Sequence, residues 1–175
     1  IIHGDAGNDT VVGEGGNDTL YGDDGNDTLS GGTGDDWLYG GDGTDSIYAG
    51  SGTNYAYGGW GNDTIVGSTG SDNFYGEQGD DTMYGQDGQD NLNGGTGNDT
   101  LQGGFSSDSV DGGDGNDVLS GGDDNDSLYG DAGADELRGG AGNDSTRGNT
   151  GADALYGEAG NDIINTGKGN DTVDG

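Results

Sequence analysis

Gly31-Gly32-Thr33-Gly34-Asp35-Asp36-Trp37-Leu38-Tyr39 is followed at once by Gly40-Gly41-Asp42-Gly43-Thr44-Asp45-Ser46-Ile47-Tyr48, a second nonapeptide of the same pattern. Outward from this pair in both directions the phase never slips. Every multiple of nine is Asp, from Asp9 to Asp171, except Asn54. Two residues after each stands an apolar residue, Val11, Leu20, Leu29 and so on to Val173, with Thr146 the polar exception. Two residues before each is Gly, except at Ser106 and Asp124; five before is Gly again, except at Ala49 and Thr166. Nineteen copies without insertion or deletion define a repeat architecture, which has to be recognised before any other reading.

Composition alone points elsewhere. Only 25% of the 175 residues are hydrophobic, 46 are Gly, and 35 acids against three Lys and Arg leave a formal charge of −32. Such a chain has too little apolar surface to offset its ordering entropy and reads as disordered unless something else stabilises it. The charge repels nucleic acid and anionic lipid, so neither is expected as a partner. No apolar run approaches the roughly 18 residues of a membrane-spanning helix, and no membrane insertion is expected. With no Cys, disulfides cannot staple the fold. Repeat sequence begins at Ile1-Ile2-His3-Gly4-Asp5, and the expectation is one β-roll over residues 1–175, a piece of a longer protein.

The unit G-x-x-G-x-D-x-U-x, with U a large aliphatic, resembles the RTX nonapeptide G-G-x-G-x-D-x-U-x, a calcium-binding β-helix repeat. The resemblance spans the whole chain. It departs at the second Gly, replaced at Asp5, Glu14, Asp23, Glu77 and Glu158, so that position is expected to tolerate a side chain. The resemblance implies a secreted or cell-surface protein, exported unfolded by type I secretion and folding in extracellular calcium. Family members also include adhesins and secreted proteases, lipases and epimerases, in which such repeats form the non-catalytic module.

The residues support the same architecture. Alternation within x-U-x sends U to one face, as in a three-residue strand. Six Gly-rich turn residues follow, read as a tight reversal needing φ > 0 and close backbone approach. No Pro interrupts the chain, and none would remove a ladder donor. Nine residues make half a coil and eighteen a full one. The fold class is therefore all-β: a parallel β-roll of about ten coils, with two parallel sheets enclosing the U residues and calcium-binding turns on both edges.

Stacking puts carboxylates in columns. Asp9, Asp27, Asp45, Asp63, Asp81, Asp99, Asp117, Asp135, Asp153 and Asp171 line one edge; Asp18, Asp36, Asn54, Asp72, Asp90, Asp108, Asp126, Asp144 and Asp162 line the other. Carboxylates about 5 Å apart repel, and a hard dication between them removes the repulsion. Ca²⁺ takes six to eight oxygens in flexible geometry, which Asp side chains and the carbonyls of turn glycines such as Gly7, Gly25, Gly43 and Gly61 can supply. Mg²⁺ demands stricter geometry, and Zn²⁺ would want His or Cys where only His3 exists. The two columns leave seventeen gaps, so up to about seventeen Ca²⁺ are expected, close to neutralising the chain. Asn54, Ser106 and Asp124 all fall in turns of the second column, where weaker sites are expected.

The outward faces differ. On one sheet Tyr21, Tyr39, Tyr57 and Tyr75 recur every eighteen residues beside Trp37 and Tyr55, an exposed aromatic ladder that either stiffens the sheet or docks a glycan or a protein. The other carries Thr10, Thr28, Ser46, Thr64, Thr82 and Thr100 in register, residues suited to strands. Repeat running to both ends, with no polar cap, favours a longer solenoid or end-to-end or lateral self-association. No enzyme is expected in this chain, because its carboxylates recur evenly and His3 is its one imidazole.

Overall fold

One apolar residue in every nine can build a core only if successive coils bring those residues together. In the computed structural model, which describes residues 1–175, they do. Short strands alternate between two parallel sheets, one of ten strands and one of twelve, and each strand pairs with the strand two places along the chain. The register is eighteen residues throughout: Leu20 pairs with Leu38, Leu38 with Ala56 and Ala56 with Phe74 in one sheet. Leu29 pairs with Ile47 and Ile47 with Ile65 in the other. The roll has about ten turns and no helix.

The core is a single file of U residues between the sheets. From Leu20 to Leu137 every apolar U side chain is at most 1% exposed. Ala56 is small, and Phe74 on the next coil is the largest fully buried side chain, so one offsets the other in volume. Thr146 occupies a U position between Leu128 and Ile164, buried, with a hydroxyl that finds no partner.

Strands are longer than the three residues predicted from alternation. Most run six, as in Thr19–Asp24 and Thr28–Thr33. The extra residues belong to the nominal turn, where Asp24 N–H donates to Asp5 O and Gly7 N–H donates to Asp24 O, so the ladder continues around the corner. The roles of the glycines also differ from the expectation. The second position of the repeat has positive φ, yet it carries a side chain at Asp5, Glu14, Asp23, Glu77, Gln86, Asp131, Asn149 and Glu158, with φ of 63–79°. The first position has no positive φ and is nevertheless almost always Gly. Its requirement is space, for a reason that lies in the turn.

The outer faces follow the predicted register. Thr10, Thr28, Ser46, Thr64, Thr82 and Thr100 form one row. The aromatic ladder is half-buried, not exposed, because its rings cover one another. Tyr21, Tyr39, Tyr57 and Tyr75 stack at centroid spacings of 4.8–5.0 Å and within 10° of parallel, and His3 extends the stack at 4.4 Å from Tyr21. Trp37 stacks on Tyr55 at 4.5 Å and remains 42% exposed. This spacing is that of neighbouring strands.

Candidate metal centres

Each repeat Asp is held at the end of a turn, and its two oxygens have different fates. Oδ1 accepts the backbone N–H of the residue eighteen positions earlier: Asp9 N–H donates to Asp27 at 2.8 Å, Asp27 N–H to Asp45 at 2.7 Å and Asp45 N–H to Asp63 at 2.7 Å. The same bond closes every gap up to Asp153 N–H and Asp171 in one column, and from Asp18 and Asp36 to Asp144 and Asp162 in the other. Oδ2 has no partner at all. It is buried and unsatisfied at every repeat Asp from Asp9 to Asp153, with Asn54 the one break.

That orphaned oxygen explains the first glycine. A Cβ built on Gly58 would lie 2.5 Å from Asp63 Oδ2 and 2.8 Å from Gly76 O, the carbonyl of the turn above. On Gly139 it would lie 2.5 Å from Asp144 Oδ2 and 2.8 Å from Gly157 O. The missing side chain thus leaves a small cradle into which a carboxylate oxygen and a carbonyl from the next turn both project. These first-position carbonyls were missed in the sequence; the near-constancy of a glycine with ordinary φ is the signal that points to them. The carbonyls of Gly7, Gly25, Gly43 and Gly61, which were predicted, accept no hydrogen bond, and each faces the glycine one turn above too closely for a Cβ there.

Burying so many carboxylates without cations is costly. Desolvation, with smaller contributions from neighbouring carboxylates, pushes Asp63, Asp99, Asp108 and Asp135 up to about 7 despite the lowering effect of their backbone hydrogen bonds. Burial raises Asp72, Asp81 and Asp126 to about 6. The donors are all oxygen, anionic and neutral, and nowhere do three acidic or imidazole side chains converge. A metal here would draw on carbonyls as well as Asp, the donor set of a hard cation with flexible coordination and not of Zn²⁺.

The comparison with known families agrees. The model of the RTX calcium-binding nonapeptide repeat matches residues 1–29, 21–56, 57–92, 84–119, 111–145 and 147–175, leaving out only Thr146. This chain belongs to the RTX calcium-binding repeat family. A comparison with curated proteins finds no match. The RTX repeats bind Ca²⁺, and the residues of this roll fit the ion through orphaned carboxylate oxygens beside carbonyls.

Irregular turns of the RTX roll are not alike. At Ser106 and Asp124 the backbone takes φ of 78° and 77°, yet Asp108 and Asp126 keep both the N–H bond and the free Oδ2. Asn54 is different. Its Oδ1 accepts Asp36 N–H at 2.9 Å, but its Nδ2 donates to Asp72 Oδ1 at 3.1 Å and Gly50 O at 3.3 Å. A donor stands there where every other turn offers an acceptor. At the last coils Asp162 and Asp171 retain the N–H bond but lie at half-buried positions.

Proposed function

We propose that the repeat Asp residues from Asp9 to Asp171 are the calcium ligands of this module, and that calcium binding is what folds it. The observation that carries the reading is the buried, unpartnered Oδ2 repeated in register along both edges. In the absence of calcium each such oxygen is a desolvation cost that the thin core does not offset; with calcium each becomes a ligand, and binding energy becomes folding energy. A chain of net charge −32 with 46 glycines then remains extended in low calcium and coils up where calcium is plentiful. That behaviour suits a protein exported unfolded to an extracellular medium, where calcium modules bind at about 10⁻⁴–10⁻³ M. In this reading the module is a calcium-responsive roll of a secreted protein and holds no catalytic machinery of its own.

Far-UV circular dichroism during a calcium titration, with magnesium as control, tests it. The expected result is a cooperative coil-to-β transition in calcium and none in equal magnesium. A chain already β-rich in chelator would show that stacking needs no ion and would end the folding-switch reading.

A further inference from the structure

The sequence contains four Tyr-Gly-acid triplets, and three of them are already occupied from within the chain. At Tyr21-Gly22-Asp23 the ring of His3, eighteen residues before the tyrosine, stacks on Tyr21 at 4.4 Å and its Nδ1 lies 3.0 Å from Asp23 Oδ2. At Tyr156-Gly157-Glu158 the guanidinium of Arg138, again eighteen before, lies 4.5 Å over the Tyr156 ring and reaches Glu158 at 3.2 Å. At Tyr129-Gly130-Asp131 the acid takes the side-chain amide of Asn149. The fourth triplet is Tyr75-Gly76-Glu77, and eighteen residues before its tyrosine stands Tyr57, which has no cationic group.

Beside that fourth triplet the surface is hollow. A groove of about 330 Å³ is lined by Tyr39, Gly41, Tyr57, Gly58, Gly59 and Glu77. Its floor is glycine backbone, one wall the phenol edges of Tyr39 and Tyr57, the other the exposed carboxylate of Glu77. Ring faces along the ladder are covered by neighbouring rings, so a flat apolar ligand cannot lie on them. A cation with a carboxylate partner is the ligand this lining suits, and the chain itself places one against the matching residues at Tyr156 and Glu158.

We propose that the Tyr39–Tyr57–Glu77 groove binds an arginine side chain of a partner polypeptide, as Arg138 binds Tyr156 and Glu158 within the chain. The inference rests on the calcium-folded roll. Three Lys and Arg among 175 residues leave an acidic rod with almost no cations of its own, so a basic segment is complementary to its surface, and Glu77 with the two tyrosines gives that segment a fixed point of contact.

The test uses the whole chain in saturating calcium and 0.15 M-range salt, titrated with acetyl-Gly-Arg-Gly-amide and with the neutral acetyl-Gly-Gln-Gly-amide, and read by amide chemical shifts. Saturable shifts confined to Gly58, Gly59, Glu77 and their neighbours are expected for the arginine peptide only. Glu77→Gln should weaken binding at least about fivefold, the loss of one charge-assisted contact. Gln is native at the equivalent Gln86, with φ of 79°, so the variant keeps the backbone. Glu14→Gln, the same change away from the groove, should leave binding unaltered. Shifts spread evenly over the acidic surface, or equal weakening by both variants, would overturn the site. An undispersed spectrum in calcium would overturn the calcium reading and the groove with it, whereas a dispersed one without localised shifts overturns the groove alone.

Discussion

Replacing Asn54 by Asp, together with Ala49→Gly, should create one calcium site that the chain does not now have. Gly31 shows the geometry one turn below: a Cβ there would meet Asp36 Oδ2 and the carbonyl of Ala49. Ala49 carries that Cβ, so its methyl fills the cradle that an Asp at position 54 would need, and the two departures belong together. Restoring both exchanges the Asn54 amide, which donates to Asp72 Oδ1 and Gly50 O, for a carboxylate oxygen that faces them. Without calcium the variant loses two hydrogen bonds and buries a further charge, a cost of about 2 kcal/mol. With calcium the new site adds RT ln(1 + [Ca²⁺]/Kd), about 2.7 kcal/mol at a hundredfold excess over Kd. The two cancel when calcium is about thirty times the Kd of the new site. Urea unfolding at a series of calcium concentrations should therefore show the variant less stable than the parent in low calcium and more stable in high calcium, and calorimetry should count one additional ion. A variant destabilised equally at every calcium concentration, with unchanged stoichiometry, would refute the assignment of the cradle as the metal site.

Three further outcomes follow from the same turns. Burial raises the repeat carboxyls from 3.8 to about 6 or 7 in the metal-free roll, so their contribution to stability is complete below 3.8 and lost as pH rises through 6 to 7. In chelator the chain should accordingly gain β-structure by circular dichroism between pH 8 and pH 4, and a loss of β-structure over that range would contradict the burial of these groups. Gly58→Ala places a methyl 2.5 Å from Asp63 Oδ2 and should destabilise the calcium-loaded roll by about 1–3 kcal/mol in urea, although the native φ is one alanine readily adopts. Thr146→Val keeps the shape and removes a buried hydroxyl with no partner, so the urea midpoint should rise by the equivalent of about 1–2 kcal/mol; a fall would mean that the hydroxyl is satisfied in solution.

Much of this protein is legible in the period of its sequence. An unbroken register of nine fixes which residues face inward, because alternation assigns Leu20, Leu29 and Leu38 to one side of their strands irrespective of anything distant in the chain. Doubling that period fixes which turns stack, and so the two Asp columns and the rows of Tyr and Thr on the outside. The fate of the individual atoms is not contained in the period. Whether an Asp oxygen meets an N–H, a carbonyl or nothing depends on how far the turn above is displaced, and only the stacked coils show Oδ1 bonded and Oδ2 orphaned. The reason for the first glycine is of the same kind. Position 58 looks like a demand for unusual φ, but its backbone is ordinary and the demand is for room beside Asp63 and Gly76. Asn54 likewise reads as one missing charge, whereas in three dimensions it is an inserted donor matched by the methyl of Ala49. Local alternation is a property of the covalent chain, and the sequence determines it; contacts across the gap between coils depend on the placement of atoms eighteen residues apart, and only the tertiary structure decides them.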